Sequence, residues 1–339
     1  MLKRLLYLLL LCFTYQSYAQ ISDFAHIDFK KADSIAQAYK DEGLQNLTEL
    51  SRKLTSNLDT DVERFRAIYK WVCNNISNDY NLYLRNKHKR ERFKDDSLKL
   101  KNWNDEFRKK LFKKLLKQQK TICTGYAYLV SELSRLADIK CNIVQGYGRV
   151  STTDIEKLTL PNHSWNAVWL NNKWYLCDPT WASGIPDPET NRFTFYYNDG
   201  FFLANPELFA VNHFPLENKY WLIDESKIPT FENFKAAPII YGNAYKNLEL
   251  HILPKQMHQD IRKFENITFE YKLKDNIKTE NVRFLIDNGS SQLKVKPNSI
   301  SIKDKLLKIE FQFKYSGFYD VHLYIADELI STYTFDVKG

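Results

Sequence analysis

Apolar side chains recur at helical spacing through the first part of the chain and at strand spacing through the last. Val62, Phe65, Tyr69, Val72, Cys73 and Ile76 share one face of a 3.6-residue repeat, and Asp59 or Thr60 is placed to cap the helix they predict. Leu129, Leu133 and Leu136 mark a second helix that opens at Cys123 and packs beside the first. Between them Phe107, Leu111 and Leu115 recur at i, i+4 and i+8 with Lys and Arg on the other face. From His163 to Trp181 the pattern becomes a hairpin, because Asn171-Asn172 tolerates the positive φ of a type I′ turn and both flanks are aromatic and β-branched. Pairing Leu170 with Lys173 sets Trp165 opposite Asp178. His163 then lies diagonal to Asp178 on one face, about 7–8 Å away between backbones.

Past residue 224 the pattern is short alternation: Ile267, Phe269, Tyr271 and Leu273, then Ile309, Phe311 and Phe313, then Val321, Leu323 and Ile325. Such strands over the last hundred or so residues predict an immunoglobulin-like β-sandwich at 239–339. All seven Trp lie at or before Trp221, so composition changes where the pattern does. The stretch 224–238, with Pro229 and Pro238, reads as a linker. The body at 59–223 is expected to be α+β, and residues 20–58 to be an additional helical segment.

The first nineteen residues change the picture of where the protein works. Lys3-Arg4, an apolar run from Leu5 to Phe13 and Ser17-Tyr18-Ala19 have the three regions of a secretory signal, with the mature chain starting near Gln20. A periplasmic or secreted protein is expected. The apolar run is too short to span a bilayer, and no later stretch reads as a membrane helix. Cys73, Cys123, Cys141 and Cys177 remain after the signal. With Cys123 reserved for chemistry, they allow at most one disulfide. They lack the paired spacing of a zinc site and there is no His-Glu-x-x-His, so no metal and no cofactor is expected.

The formal charge of +8 sits in one place, for residues 85–120 hold fifteen Lys and Arg against five Asp and Glu. The remainder of the mature chain is net acidic. The segment reads as a solvated helical insert standing apart from the thiol chemistry, its other use being to dock on an anionic envelope surface. An exported chain without an aromatic-interleaved basic motif is a poor match to nucleic acid.

Candidate chemistry centres on Cys123. A sulfur at a helix N-terminus meets unpaired N–H groups and the positive end of the helix dipole, which favour the nucleophilic thiolate. His163 supplies a base, and Asp178 an orienting carboxylate. The strings Ile122-Cys123-Thr124-Gly125-Tyr126-Ala127, Gly146-Tyr147, His163-Ser164-Trp165-Asn166-Ala167-Val168 and Trp174-Tyr175-Leu176-Cys177-Asp178-Pro179-Thr180-Trp181 resemble the transglutaminase-like superfamily. Phe201-Phe202-Leu203-Ala204-Asn205-Pro206-Glu207 and His213-Phe214-Pro215 followed by Trp221 resemble its kyphoscoliosis-peptidase and cytokinesis-protein branch. The resemblance covers about residues 59–224. It implies a papain-like core with Cys123, His163 and Asp178 in the catalytic positions.

The sequence departs from the family's pattern twice: the motif that often ends Ile-x-Tyr-Asp reads Ile76-Ser77-Asn78-Asp79, and Asp138 replaces the glycine after the nucleophile helix. The expected activity is attack on protein or peptide amides through a Cys123 thioester, resolved by water or by an amine. A catalytically silent adaptor for an envelope or extracellular protein is the other reading. The backbone N–H of Cys123 is one donor to the tetrahedral oxyanion, Gln118, Gln119 and Trp103 are candidates for a second, and Trp165 either walls the cleft or packs in the core.

Overall fold

The computed structural model describes residues 20–187, 189–190 and 192–339, and counts below refer to these; the expected signal at 1–19 lies outside them. Helices α1 (Lys30–Ala38) and α2 (Leu47–Thr55) precede α3 (Asp61–Asn75). Thr60 caps α3 in a reciprocal box: its hydroxyl accepts from the Glu63 N–H, and the Glu63 carboxylate accepts from the Thr60 N–H. The six apolar positions read from the α3 repeat are all buried. Next come α4 (Tyr80–Arg92) and α5 (Ser97–Gln118), capped by Asp79 and Asp96, and then α6 (Cys123–Leu136). Asp138 takes φ 59° just past the end of α6, the left-handed conformation an aspartate tolerates in place of glycine.

An antiparallel sheet packs against α6. Its strands are β1 (Cys141–Gly148), β2 (His163–Leu170), β3 (Lys173–Cys177) and β4 (His213–Pro215), in the order β3-β2-β1-β4. The β2–β3 turn has Asn171 at φ 45° and Asn172 at φ 62°, and Leu170 pairs with Lys173 as the pattern predicts. Short helices α7 (Pro179–Ser183) and α8 (Pro206–Asn212) follow β3. The 224–238 stretch carries a further helix, α9 (Phe231–Ala236), whose Phe234 is buried with its ring centroid 5.4 Å from that of Phe214. Burial of such a ring contributes roughly 1.5–3 kcal/mol, so α9 has reason to stay seated on the α+β body.

The expected all-β part follows. One sheet runs β5-β7-β11-β10, with β5 Leu248–Leu253, β7 Ile267–Leu273, β10 Ser299–Lys303 and β11 Leu306–Phe311. The other runs β6-β13-β12-β8-β9, with β6 His258–Arg262, β8 Val282–Asp287, β9 Gln292–Val295, β12 Gly317–Ile325 and β13 Glu328–Lys338. Strand β6 joins β13 in parallel, and the other pairings are antiparallel. Phe269 of the first sheet meets Phe284 and Tyr333 of the second at 4.9 and 5.2 Å, so inner faces interdigitate as in a sandwich.

Candidate active site

Cys123 is the first residue of α6, and Ile122 before it has an extended backbone. At that position its N–H has no intrahelical acceptor. Helix α6 can approach the strand at 120–121 because residue 125 is glycine: a Cβ there would stand 1.9 Å from the Thr121 hydroxyl. Asn166 ties β2 to the same helix by donating to the Ala127 carbonyl at 2.9 Å. His163, at the start of β2, is thereby held against the start of α6.

The three residues singled out in the sequence come together. His163 Nε2 lies 2.6 Å from Asp178 Oδ2, which leaves Nδ1 as the ring nitrogen not engaged by the carboxylate, and Cys123 is near enough for its side chain and that of His163 to act on each other's charge. Asp178 caps α7, its Oδ1 accepting from the N–H groups of Thr180 and Trp181 at 2.8 and 3.1 Å. Its backbone carbonyl accepts from the Tyr69 hydroxyl of α3 at 3.0 Å. Cys123 and His163 are each 7% exposed and Asp178 is fully buried, so the charges interact in a medium far less polarizable than water.

The electrostatics follow from these contacts. Burial works to raise the Cys123 pKa, but the hydrogen bond and charge of His163, with the Ser164 N–H, outweigh it and hold the thiol below its ordinary value. Burial works against the His163 cation, yet Asp178 and Cys123 push its pKa up to about 10. Asp178 is held well below the carboxylate range, the penalty of burial being overcome by His163 and then His213. Burial drives Cys73 and Cys177 far up and takes Cys141 to about 12. Cys123 is thus the one described thiol shifted toward the thiolate, and all four are free.

Several residues had no assigned role in the sequence reading. Trp181 stacks on His163 at 4.7 Å and 17°, whereas Trp165, for which the sequence left cleft wall and core open, is 1% exposed and belongs to the core. Gly148 of β1 passes so close to His163 that a Cβ would sit 2.8 Å from the His163 Cβ. His213 Nε2 lies 3.1 Å from the same Asp178 oxygen that His163 uses. His163, Asp178 and His213 offer ligand-type atoms within 4.8 Å of one another. However, the 2.6 Å spacing is that of a charge-assisted hydrogen bond, shorter than the roughly 3.3 Å between ligands of a tetrahedral zinc.

The basic segment departs from the expected detached insert. Phe107, Leu111 and Leu115 are buried as the spacing predicts, and Leu82 of α4 packs in one cluster with Phe107, Leu111 and Ile122, the residue before the thiol. Asp79 of the altered motif caps α4 and pairs with Lys114 of α5, tying the helices together. Tyr83 and Arg90 lie close enough to Cys123 for its charge to act on both. Arg90 donates to the Pro161 carbonyl at 2.7 Å, two residues before His163. The segment therefore walls the site. Tyr83 and Arg90 are two helical turns apart, so the i, i+7 spacing was the available signal. Of the oxyanion candidates, Gln119 donates to the Glu42 carbonyl, Trp103 to Asn86, and Gln118 is exposed.

Comparison with known proteins shows what the region around this site is similar to. Residues 48–179 match the model of the transglutaminase-like superfamily. Human kyphoscoliosis peptidase is 37% identical over 191 residues, covering 55% of this chain and 26% of that protein. The mouse protein is 35% identical over 209 residues, covering 60% and 28%. Hillarin of Drosophila melanogaster is 24% identical over 229 residues, covering 63% and 25%. The chain thus spans about a quarter of the length of these relatives. Residues 48–179 therefore carry a transglutaminase-like domain, and the kyphoscoliosis peptidases are among the proteins it is similar to.

Proposed function

We propose that the protein is an exported thiol enzyme that acts on protein or peptide amides through a thioester on Cys123. The observation that carries this reading is that Cys123 opens α6 beside a buried His163 held 2.6 Å from Asp178, with the charges of Cys123 and His163 acting on each other. The thiolate attacks the amide carbon, and the oxyanion that forms takes a hydrogen bond from the Cys123 N–H. His163 gives its proton to the leaving nitrogen, the C–N bond breaks and a thioester remains. Water then yields an acid, and a primary amine yields a new amide, with His163 taking the proton from either one. Hydrolysis is the outcome we favour, in keeping with the peptidase names of two relatives. The basic face of α4 and α5 supports an anionic protein or envelope surface as partner. Among the described residues no helix is long and apolar enough to cross a membrane.

The test is to incubate the mature protein with a glutamine-containing protein, with and without a small primary amine, and to weigh the products. Chain cleavage or deamidation is expected, and amine incorporation would make the enzyme a transferase. An adaptor role gains weight from the 7% exposure of both Cys123 and His163. No covalent change, with Cys123 no more reactive than the other thiols, would establish that reading instead.

A further inference from the structure

His213 lies 35 residues beyond Asp178, in the motif His213-Phe214-Pro215, and it follows α8 directly. It is 1% exposed, with the Phe209 ring stacked on it at 3.6 Å and 10° and Trp181 at 4.3 Å. Its Nδ1 lies 3.1 Å from the Phe209 carbonyl and its Nε2 3.1 Å from Asp178 Oδ2. A neutral ring has one proton to give. The Phe209 carbonyl already accepts the His213 backbone N–H, whereas a bare ring nitrogen facing a buried carboxylate would be repelled. The proton therefore belongs on Nε2. The titratable groups acting on the ring are Asp178 and His163, and burial holds its pKa down at about 4, so it is neutral in ordinary buffers.

Asp178 Oδ2 consequently serves two imidazoles, the shorter bond of 2.6 Å going to His163 and the longer of 3.1 Å to His213. Oδ1 is already committed to two backbone N–H groups, so the carboxylate stays in place even if His213 is lost. What His213 controls is how much of the Oδ2 charge His163 feels. We infer that His213 is a positioning residue of the thiol site, a neutral Nε2–H donor that shares Asp178 with His163 and so tempers the pairing that makes His163 basic. This rests on the proposed Cys–His–Asp chemistry. Losing the donor leaves Oδ2 wholly to His163, whose imidazolium then persists to higher pH, stabilises the thiolate at lower pH and gives up its proton to a leaving amine more slowly.

The test measures the rate of Cys123 alkylation by iodoacetamide against pH in the purified mature protein and in His213→Gln and His213→Asn. Glutamine carries an N–H at about the reach of Nε2 and asparagine at about that of Nδ1. In His213→Gln the profile should stay within twofold of the parent. In His213→Asn the acid limb should move about one pH unit lower, the share of a hydrogen bond to a charged group, and amide turnover should fall several-fold in kcat with KM unchanged. An unmoved limb in His213→Asn, or the same shift in both variants, overturns the inference. Nitrogen chemical shifts give an independent reading on the unaltered protein even if a variant fails to fold: Nε2–H at pH 7 is required, and Nδ1–H overturns it. If Cys123 of the unaltered protein alkylates no faster than Cys73, Cys141 and Cys177, the underlying thiol-enzyme reading fails instead.

Discussion

The α+β body and the sandwich bury different kinds of side chain. In the first, the interior holds Asp79, Arg149, His163, Asn166, Asp178, Asn205, Asn212 and His213, each buried below one tenth exposure. In the second, the buried polar side chains among the described residues are Ser331 and Thr332, and the tyrosine hydroxyls nearby satisfy one another, Tyr271 bonding Ser331 and Tyr333 at 2.9 and 2.7 Å. Burying polar groups is unfavourable unless each finds a partner, so a fold keeps them inside where they position something. The sandwich shows what this chain does when apolar closure alone is needed. The contrast sets the buried polar network in the α+β body and an apolar interior in the sandwich.

That contrast is broken or sharpened most strongly at the thiol. Cys123→Ala should cut amide turnover by at least roughly a thousandfold while leaving circular dichroism and the thermal midpoint near those of the parent. A variant that still turns over would remove the reason for the buried polar network. In the sandwich, Phe269→Ala should do the reverse. It empties a fully buried ring site between the sheets and should cost about 3–5 kcal/mol in urea unfolding, with turnover per folded molecule unchanged below the transition. Lost turnover in the folded variant would show that the two parts act as one unit.

Gly148→Ala tests how tightly His163 is held. The added methyl meets the His163 Cβ at 2.8 Å and its ring at 2.9 Å, and because that Cβ is fixed by the backbone the clash is relieved only by shifting the residue. Turnover should fall roughly tenfold to a hundredfold through displaced imidazole, with the fold retained. Unchanged turnover would show that β1 yields instead.

The hairpin that carries His163 and Asp178 was legible because its information is local. Period-two alternation and an Asn-Asn turn fix the register, and Asn166 pairs with Cys177 as counting from that turn predicts. The capping of α3 and the left-handed Asp138 were legible for the same reason. His213, Trp181 and the inward face of α4 were not. The first two depend on how the short helices α7 and α8 dock, since five or seven residues carry too little pattern to specify a docking partner, and the third depends on how α4 packs with α5. The basic segment was misread through its composition. A high count of cationic side chains says that one face meets water, but Arg90, one of the fifteen, turns to the other face together with Tyr83 just before the segment.

Stability against pH tests the buried charges together. His163, raised from about 6.5 to about 10, gives stability that is complete below pH 6.5 and lost as the pH climbs through 10. Cys123 is shifted down, so the fold gains from its ionisation up to the ordinary thiol value of about 8.5, offsetting the His163 loss until then. Net loss should emerge between about pH 8.5 and 10. On the acid side the unfolded chain protonates His213 near 6.5 while the fold resists down to about 4, so stability falls across that window. Asp178 adds a further loss as the pH falls below the ordinary carboxylate range. Urea midpoints should therefore peak between about pH 6.5 and 8.5, and His213→Gln should make the limb from 6.5 to 4 shallower, leaving the part due to His251, which burial likewise holds down at about 4. A limb as steep as the parent's would mean that another group titrates there.

The smallest expected effect concerns Arg90, and it separates the inward face of the basic helices from the outward one. Arg90 is half-buried, its Nε has no hydrogen-bond partner, and it forms no ion pair with a carboxylate among the described residues. Burial lowers its pKa, and the charge of Cys123 acts in the opposite direction, which is how a cation beside the thiolate responds. Such a cation should draw an anionic reagent to the sulfur more than a neutral one. Iodoacetate and iodoacetamide differ in that respect and little else. Arg90→Gln, which keeps a polar but uncharged side chain there, should lower the iodoacetate rate at Cys123 by about threefold to tenfold and the iodoacetamide rate by less than about twofold. Lys109→Gln, on the exposed face of α5, should change neither, and added salt should narrow the parent's difference between the reagents. If the ratio of the two rates is the same in Arg90→Gln as in the parent, the guanidinium does not reach the thiol and the basic helices act only at the surface.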